Sequence, residues 1–99
     1  MKFGLSEQQY NYIQGIVVLP LKSKGASVWV FGSRARGDHS QFSDLDLMVE
    51  STEDISMQVS SIQETLENGN FPYKVDLVQN KDFAESYRGT FEKDKVELL

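Results

Sequence analysis

The sequence predicts a two-layer α+β domain, a small mixed β-sheet with helices packed on one face. Three observations lead there. Apolar residues recur at helical spacing in separate stretches, three short runs carry strand character, and the elements follow in the order α, β, β, α, β, α. The 99 residues contain no repeat, low-complexity tract or linker, so residues 1–99 are read as a single domain. A chain of this size buries about 65% of its unfolded surface, enough for a sheet-and-helix core but not for a deep enclosed pocket. A missing wall would have to come from a second polypeptide.

The elements can be justified in order. Ser6 with Gln9 three residues later is a capping-box pattern, and Tyr10, Ile13, Val17 and Leu21 follow at roughly helical spacing, which predicts a helix over residues 7–18. Pro20 and Pro72 are expected at element ends. After a polar turn, Ser27, Val28, Trp29, Val30 and Phe31 form a β-rich run ending at Gly32, predicted to be buried on both faces. Residues 32–43 are polar and glycine-punctuated, with room for one short helical turn and a loop. A second strand is expected over 44–50, where Leu45, Leu47 and Val49 alternate with acids and methionine. Ile55, Val59, Ile62 and Leu66 form a helical stripe that Gly69 stops. Residues 73–79 read as a third strand with Tyr73, Val75 and Leu77 on one face. Asp82 can cap a last helix carrying Phe83, Tyr87 and Phe91, and residues 92–99 are left open as helix, tail or short edge strand.

Composition excludes several chemistries. The absence of cysteine removes disulfides, thiolate zinc sites and cysteine nucleophiles, and one histidine, His39, removes any multi-histidine metal centre. The longest apolar run, residues 16–19, cannot cross a bilayer, and residues 1–5 lack a basic start leading into a long apolar stretch, so a cytoplasmic protein with no membrane partner is expected. A net charge of −5 argues against duplex nucleic acid as a partner and requires a metal or local basic cluster wherever a phosphate binds.

Three segments can carry chemistry. Gly32-Ser33-Arg34-Ala35-Arg36-Gly37 follows a strand directly and opens a helical turn. Backbone N–H groups there can meet an anion, the Ser33 hydroxyl adds a donor, and Arg34 and Arg36 can add charge-assisted bonds. Taken alone, the segment reads equally as a glycine turn with two solvated arginines. A Walker A reading fails, because Asp38 and His39 stand where lysine and a hydroxyl residue are required. In Asp44-Leu45-Asp46 the strand period places both carboxylates on one face, an arrangement a divalent cation would relieve, although an isolated pair of this kind is more often a solvent-facing strand. Leu47, Met48 and Val49 exclude a calcium loop. Asp76 lies within the third strand, and if that strand neighbours the second it can complete a three-carboxylate site for two magnesium ions. No nucleophile-elbow pattern accompanies Ser33, and His39 reads as a loop residue.

Gly32-Ser33, ten intervening residues and Asp44-x-Asp46 resemble the active-site signature of the DNA polymerase β-like nucleotidyltransferase superfamily, and the full strings around them resemble its minimal nucleotidyltransferase branch. The resemblance is dense over residues 29–50 and extends to Val75-Asp76-Leu77-Val78. It implies a nucleotidyltransferase fold in which Asp44, Asp46 and Asp76 hold two Mg²⁺ ions, Gly32 and Ser33 grip the β- and γ-phosphates of ATP or another NTP, and Arg34 and Arg36 are further phosphate contacts. It also implies transfer of a nucleoside monophosphate, AMP from ATP, to a hydroxyl. Members of the branch resemble antitoxins that adenylylate a tyrosine of a helical HEPN partner, so a HEPN protein or self-association would complete the acceptor pocket. The alternative is an antitoxin that silences its partner by occlusion without catalysis.

Overall fold

A computed structural model describes residues 2–83 and 85–98, Tyr87 by its backbone alone, so the Tyr87 side chain expected on the last helix lies outside the described part. The chain forms α1 (Glu7–Ile13), a π turn (Gln14–Val18), α2 (Leu19–Lys22), β1 (Ser27–Phe31), α3 (Ser33–Arg36), β2 (Leu45–Glu50), α4 (Ser56–Asn68) and β3 (Val75–Gln79). Two 3-10 turns (Asn80–Asp82 and Glu85–Tyr87), α5 (Arg88–Asp94) and β4 (Val96–Leu98) complete it.

The capping box at the start of α1 is formed: Gln9 N donates to Ser6 Oγ at 3.1 Å and Ser6 N donates to Gln9 Oε1 at 2.8 Å. The helical path was expected to end at 18 and instead continues to Lys22, with Pro20 inside it. The reason is the π turn just before the proline, where Leu19 N–H reaches back to Gln14 O. A widened turn accommodates a residue that has no N–H and whose ring crowds the preceding carbonyls. Leu21 thereby reaches the core with Ile13 and Val17.

The sheet order is β3-β2-β1-β4, with β1 antiparallel to both β2 and β4, and β2 parallel to β3. Val28, Val30, Leu45, Leu47, Val49, Val75 and Leu98 supply the sheet's contribution to the core. Ile13, Val17, Val18 and Leu21 meet them from the first helical segment, and Val59, Ile62 and Leu66 from the predicted stripe on α4. Each such aliphatic side chain contributes about 1.5–3 kcal/mol on burial. β1 is less enclosed than expected: Val28 and Val30 are fully buried, while Ser27, Trp29 and Phe31 on the other face are half-buried.

Strand limits differ from expectation where side chains need water or the chain must turn. Asp44 precedes β2 rather than opening it and is exposed, and β3 begins at Val75 rather than 73. Asp82 caps no α-helix; it ends a 3-10 turn, and α5 proper begins at Arg88. These residues bring the chain back from the end of β3 toward Phe31, a reversal that tight turns achieve and a straight helix does not. Phe91 of α5 is buried there with its ring 5.5 Å from that of Phe31. Residues 96–98 resolve the open reading of the C-terminus as an edge strand. Among the described residues, no helix is long and apolar enough to cross a membrane.

Candidate active site

The sheet's second face is built around one row of residues. Phe31 pairs in register with Asp46, and Asp46 with Asp76, so the strand period puts the three on one face of adjacent strands. Parallel neighbours lie roughly 5 Å apart along the hydrogen-bonding direction, which brings the Asp46 and Asp76 carboxyls side by side. Phe31 ends β1, and Gly32 follows with φ +77° and ψ −158°, a conformation essentially confined to glycine. A Cβ on Gly32 would lie 2.6 Å from Asp46 Oδ2. Glycine is needed there both for its backbone and for the carboxylate resting over it.

Burial pushes the Asp46 carboxyl above its ordinary value, and the negative charges of Asp76 and Asp44 push it further. Among the described residues Asp46 has neither an ion-pair nor a hydrogen-bond partner for its carboxylate, while Asp76 has a long contact of 3.8 Å with Lys74. Asp44 stands two residues before Asp46, exposed at the mouth of the strand. Among the described residues no group of three or more His, Cys, Asp or Glu is gathered tightly enough to hold a metal ion. The donor set nevertheless fits Mg²⁺ in kind: hard carboxylate oxygens, crowded by like charge and lacking a cation partner at Asp46.

These residues open into a cleft of about 580 Å³ lined by Phe31, Gly32, Arg36, Asp46, Asp76, Val78, Phe83, Thr90, Phe91 and Asp94. One end is charged and the other is walled by Phe31, Phe83 and Phe91, whose ring centroids lie 5.4–5.5 Å apart at steep angles. Arg36 reaches this cleft, donating from Nε to Asp38 at 3.0 Å and from Nη1 to Asp94 at 3.1 Å. Ser33 begins α3, half-buried and not among the residues lining the cleft.

Arg34, expected as a phosphate contact, does not line the cleft. It is 2% exposed, with Nε donating to Ser43 O at 3.0 Å and Nη1 to Phe3 O at 2.8 Å, and its guanidinium stacks 4.3 Å from the centre of the Tyr73 ring. A guanidinium spent on two carbonyls and a ring is not presented to a phosphate in the cleft. His39 is half-buried beside Gly4 and does not line the cleft either. Sequence reading missed Asp94 and Thr90. Asp94 falls in a charged run that reads as a solvated face, yet its side chain is only 8% exposed; its spacing of three from Phe91 was the available signal.

Comparison with known proteins places this architecture. The family model for "Polymerase beta, Nucleotidyltransferase" matches residues 16–97. The chain belongs to that family and is a nucleotidyltransferase. Among curated relatives it is 33% identical over 79 residues to "Probable protein adenylyltransferase MntA" of Haemophilus influenzae, covering 71% of this chain and 69% of that protein. It is 34% identical over 82 residues to "Putative protein adenylyltransferase MJ1379" of Methanocaldococcus jannaschii, covering 80% of this chain and 82% of that one. A solved structure described as "Structure of putative minimal nucleotidyltransferase" superposes with a TM-score of 0.65 at 28% identity, covering 95% of this chain and all of the other.

Proposed function

We propose that this nucleotidyltransferase moves AMP from ATP onto a hydroxyl of a protein, a tyrosine of a helical HEPN partner, and acts in the cytoplasm as the antitoxin of a toxin–antitoxin pair. The observation that carries the chemistry is the register pairing of Asp46 with Asp76, with the Asp46 carboxylate packed over Gly32. Two relatives named as protein adenylyltransferases support a protein acceptor. The open cleft supports completion of the acceptor side by a second polypeptide.

Asp44, Asp46 and Asp76 would hold two Mg²⁺ ions. When bound, such ions neutralise charge on the phosphates and acidify the attacking hydroxyl. Gly32 allows the backbone before α3 to approach a triphosphate closely, and Ser33 can donate its hydroxyl to the same group. Arg36, positioned between Asp38 and Asp94, supplies a cation at the charged end of the cleft. The acceptor oxygen bonds to the α-phosphorus as the bond to the β-phosphate oxygen breaks; diphosphate departs, and in this reading Asp76 takes the hydroxyl proton.

The test mixes the chain with ATP labelled at the α-phosphate, Mg²⁺ and a co-expressed partner. Label on the partner with wild type and none with Asp46→Ala supports the proposal. Equal labelling by both, or neutralisation of the partner by Asp46→Ala without label, contradicts it, the second outcome indicating occlusion.

A further inference from the structure

Arg34 holds a position that packing alone does not justify. It is a buried cation for which no carboxylate partner is found among the described residues, and Nη2 lacks a hydrogen-bond partner there. Burying a charge without a counter-ion is unfavourable by several kcal/mol, and an apolar side chain of similar volume fills such a site more cheaply. What only arginine supplies is a rigid fork that binds several acceptors at fixed angles. Its three contacts join separate parts of the chain. Ser43 O belongs to the residue just before Asp44; Tyr73 precedes β3, which carries Asp76; Phe3 O belongs to the N-terminal turn. Tyr73 leads onward through Phe71, 5.7 Å away edge to face, to Tyr12 on α1, 5.7 Å away and stacked.

The N-terminal turn is shaped for this contact. Lys2 and Leu5 bridge each other, while Phe3 and Gly4 both have positive φ, 56° and 73°. A left-handed phenylalanine is unfavourable unless its surroundings require it, and here the conformation accompanies a carbonyl held by Arg34. Gly4 leaves room for the clamp: a Cβ would strike His39 Nε2 and lie 2.7 Å from Arg34 Nη1. The turn lies outside residues 16–97, the part matched by the family model.

We infer that Arg34 is a positioning residue that sets the backbone carrying Asp44, and that the N-terminal turn is part of the active-site support through it. The inference rests on the proposed role of Asp44 and Asp46 in nucleotidyl transfer. Displacing reacting groups by about 1 Å can lower rates about 100-fold, so small movements of the loop suffice.

Arg34→Lys and Gly4→Ala test this with two readouts. Arg34→Lys keeps the charge but loses the fork; Gly4→Ala removes no polar group but crowds the clamp. Both variants are expected to speed amide hydrogen exchange at Ser43 and Leu45 about tenfold, with α4 amides unchanged. In AMP transfer kcat is expected to fall about 10- to 100-fold while KM for ATP stays within about twofold. Unchanged exchange at Ser43 and Leu45 overturns the clamp. Faster exchange with unaltered kcat overturns its positioning role, and a raised KM at constant kcat makes Arg34 a nucleotide contact instead. If the wild type transfers nothing, the functional proposal fails on its own, and the exchange measurement still decides whether the clamp exists.

Discussion

Adding a single methyl group at Gly32 reaches the centre of the site. Alanine there meets two penalties at once. The backbone at φ +77° and ψ −158° lies in a region nearly restricted to glycine, unfavourable for other residues by about 1–3 kcal/mol. The new Cβ also sits 2.6 Å from Asp46 Oδ2, closer than nonbonded carbon and oxygen tolerate, so the carboxylate must move. Gly37 provides the control, since its φ of +86° is left-handed but no atom lies within 4 Å of a Cβ built there. Gly37→Ala should lose about 1 kcal/mol and Gly32→Ala about 3 kcal/mol. For a domain of this size these losses correspond to falls in Tm of about 4–8 °C and about 12–24 °C. Melting followed by circular dichroism reads stability, and transfer of α-labelled AMP below the melting temperature reads chemistry. Gly37→Ala should keep most of its transfer rate and Gly32→Ala should lose it. Equal melting temperatures and equal rates for the two variants would refute the packing of Asp46 over Gly32.

Asp46→Asn should stabilise the fold while abolishing transfer, because it removes a charge that burial and two neighbouring carboxylates disfavour. The folded Asp46 carboxyl binds its proton more tightly than the unfolded chain does, so its contribution lowers stability as pH rises from the ordinary carboxylate range through the raised value, and is level above it. Urea unfolding across that range should show this slope in wild type and a shallower one in Asp46→Asn. Phe91→Ala should cost about 3–5 kcal/mol, because its ring is buried against Phe31 and Phe83; denaturant titration measures the loss. Arg36→Gln should leave the fold intact, since the side chain is exposed, yet raise KM for ATP about tenfold in steady-state assays. An unaltered KM would place Arg36 outside nucleotide binding.

Local signals in the sequence were legible because they depend on near neighbours. The Ser6 and Gln9 box, the stripe from Ile55 to Leu66 and the glycine after β1 each rest on contacts within a few residues, and each appears where expected. The pairing of Asp46 with Asp76 depended on β3 lying beside β2, a single topological condition that a parallel crossover through α4 satisfies. What stayed hidden depends on distant partners. Arg34 reads as a surface cation until Phe3, 31 residues away, supplies its carbonyl. Asp94 reads as solvated until Arg36, 58 residues away, draws it to the cleft. The passage of the first helix through Pro20 was hidden for another reason, because the π turn that permits it has no simple spacing signature.

Titration with Mn²⁺ as a paramagnetic substitute for Mg²⁺, followed by electron paramagnetic resonance in the presence of a non-hydrolysable ATP analogue, addresses the carboxylate site directly. Saturable binding by the wild type that Asp46→Asn and Asp76→Asn each weaken at least about tenfold is the predicted result. Binding that ignores both substitutions would contradict the account, as would a wild type that holds no Mn²⁺ beyond what the nucleotide analogue binds by itself.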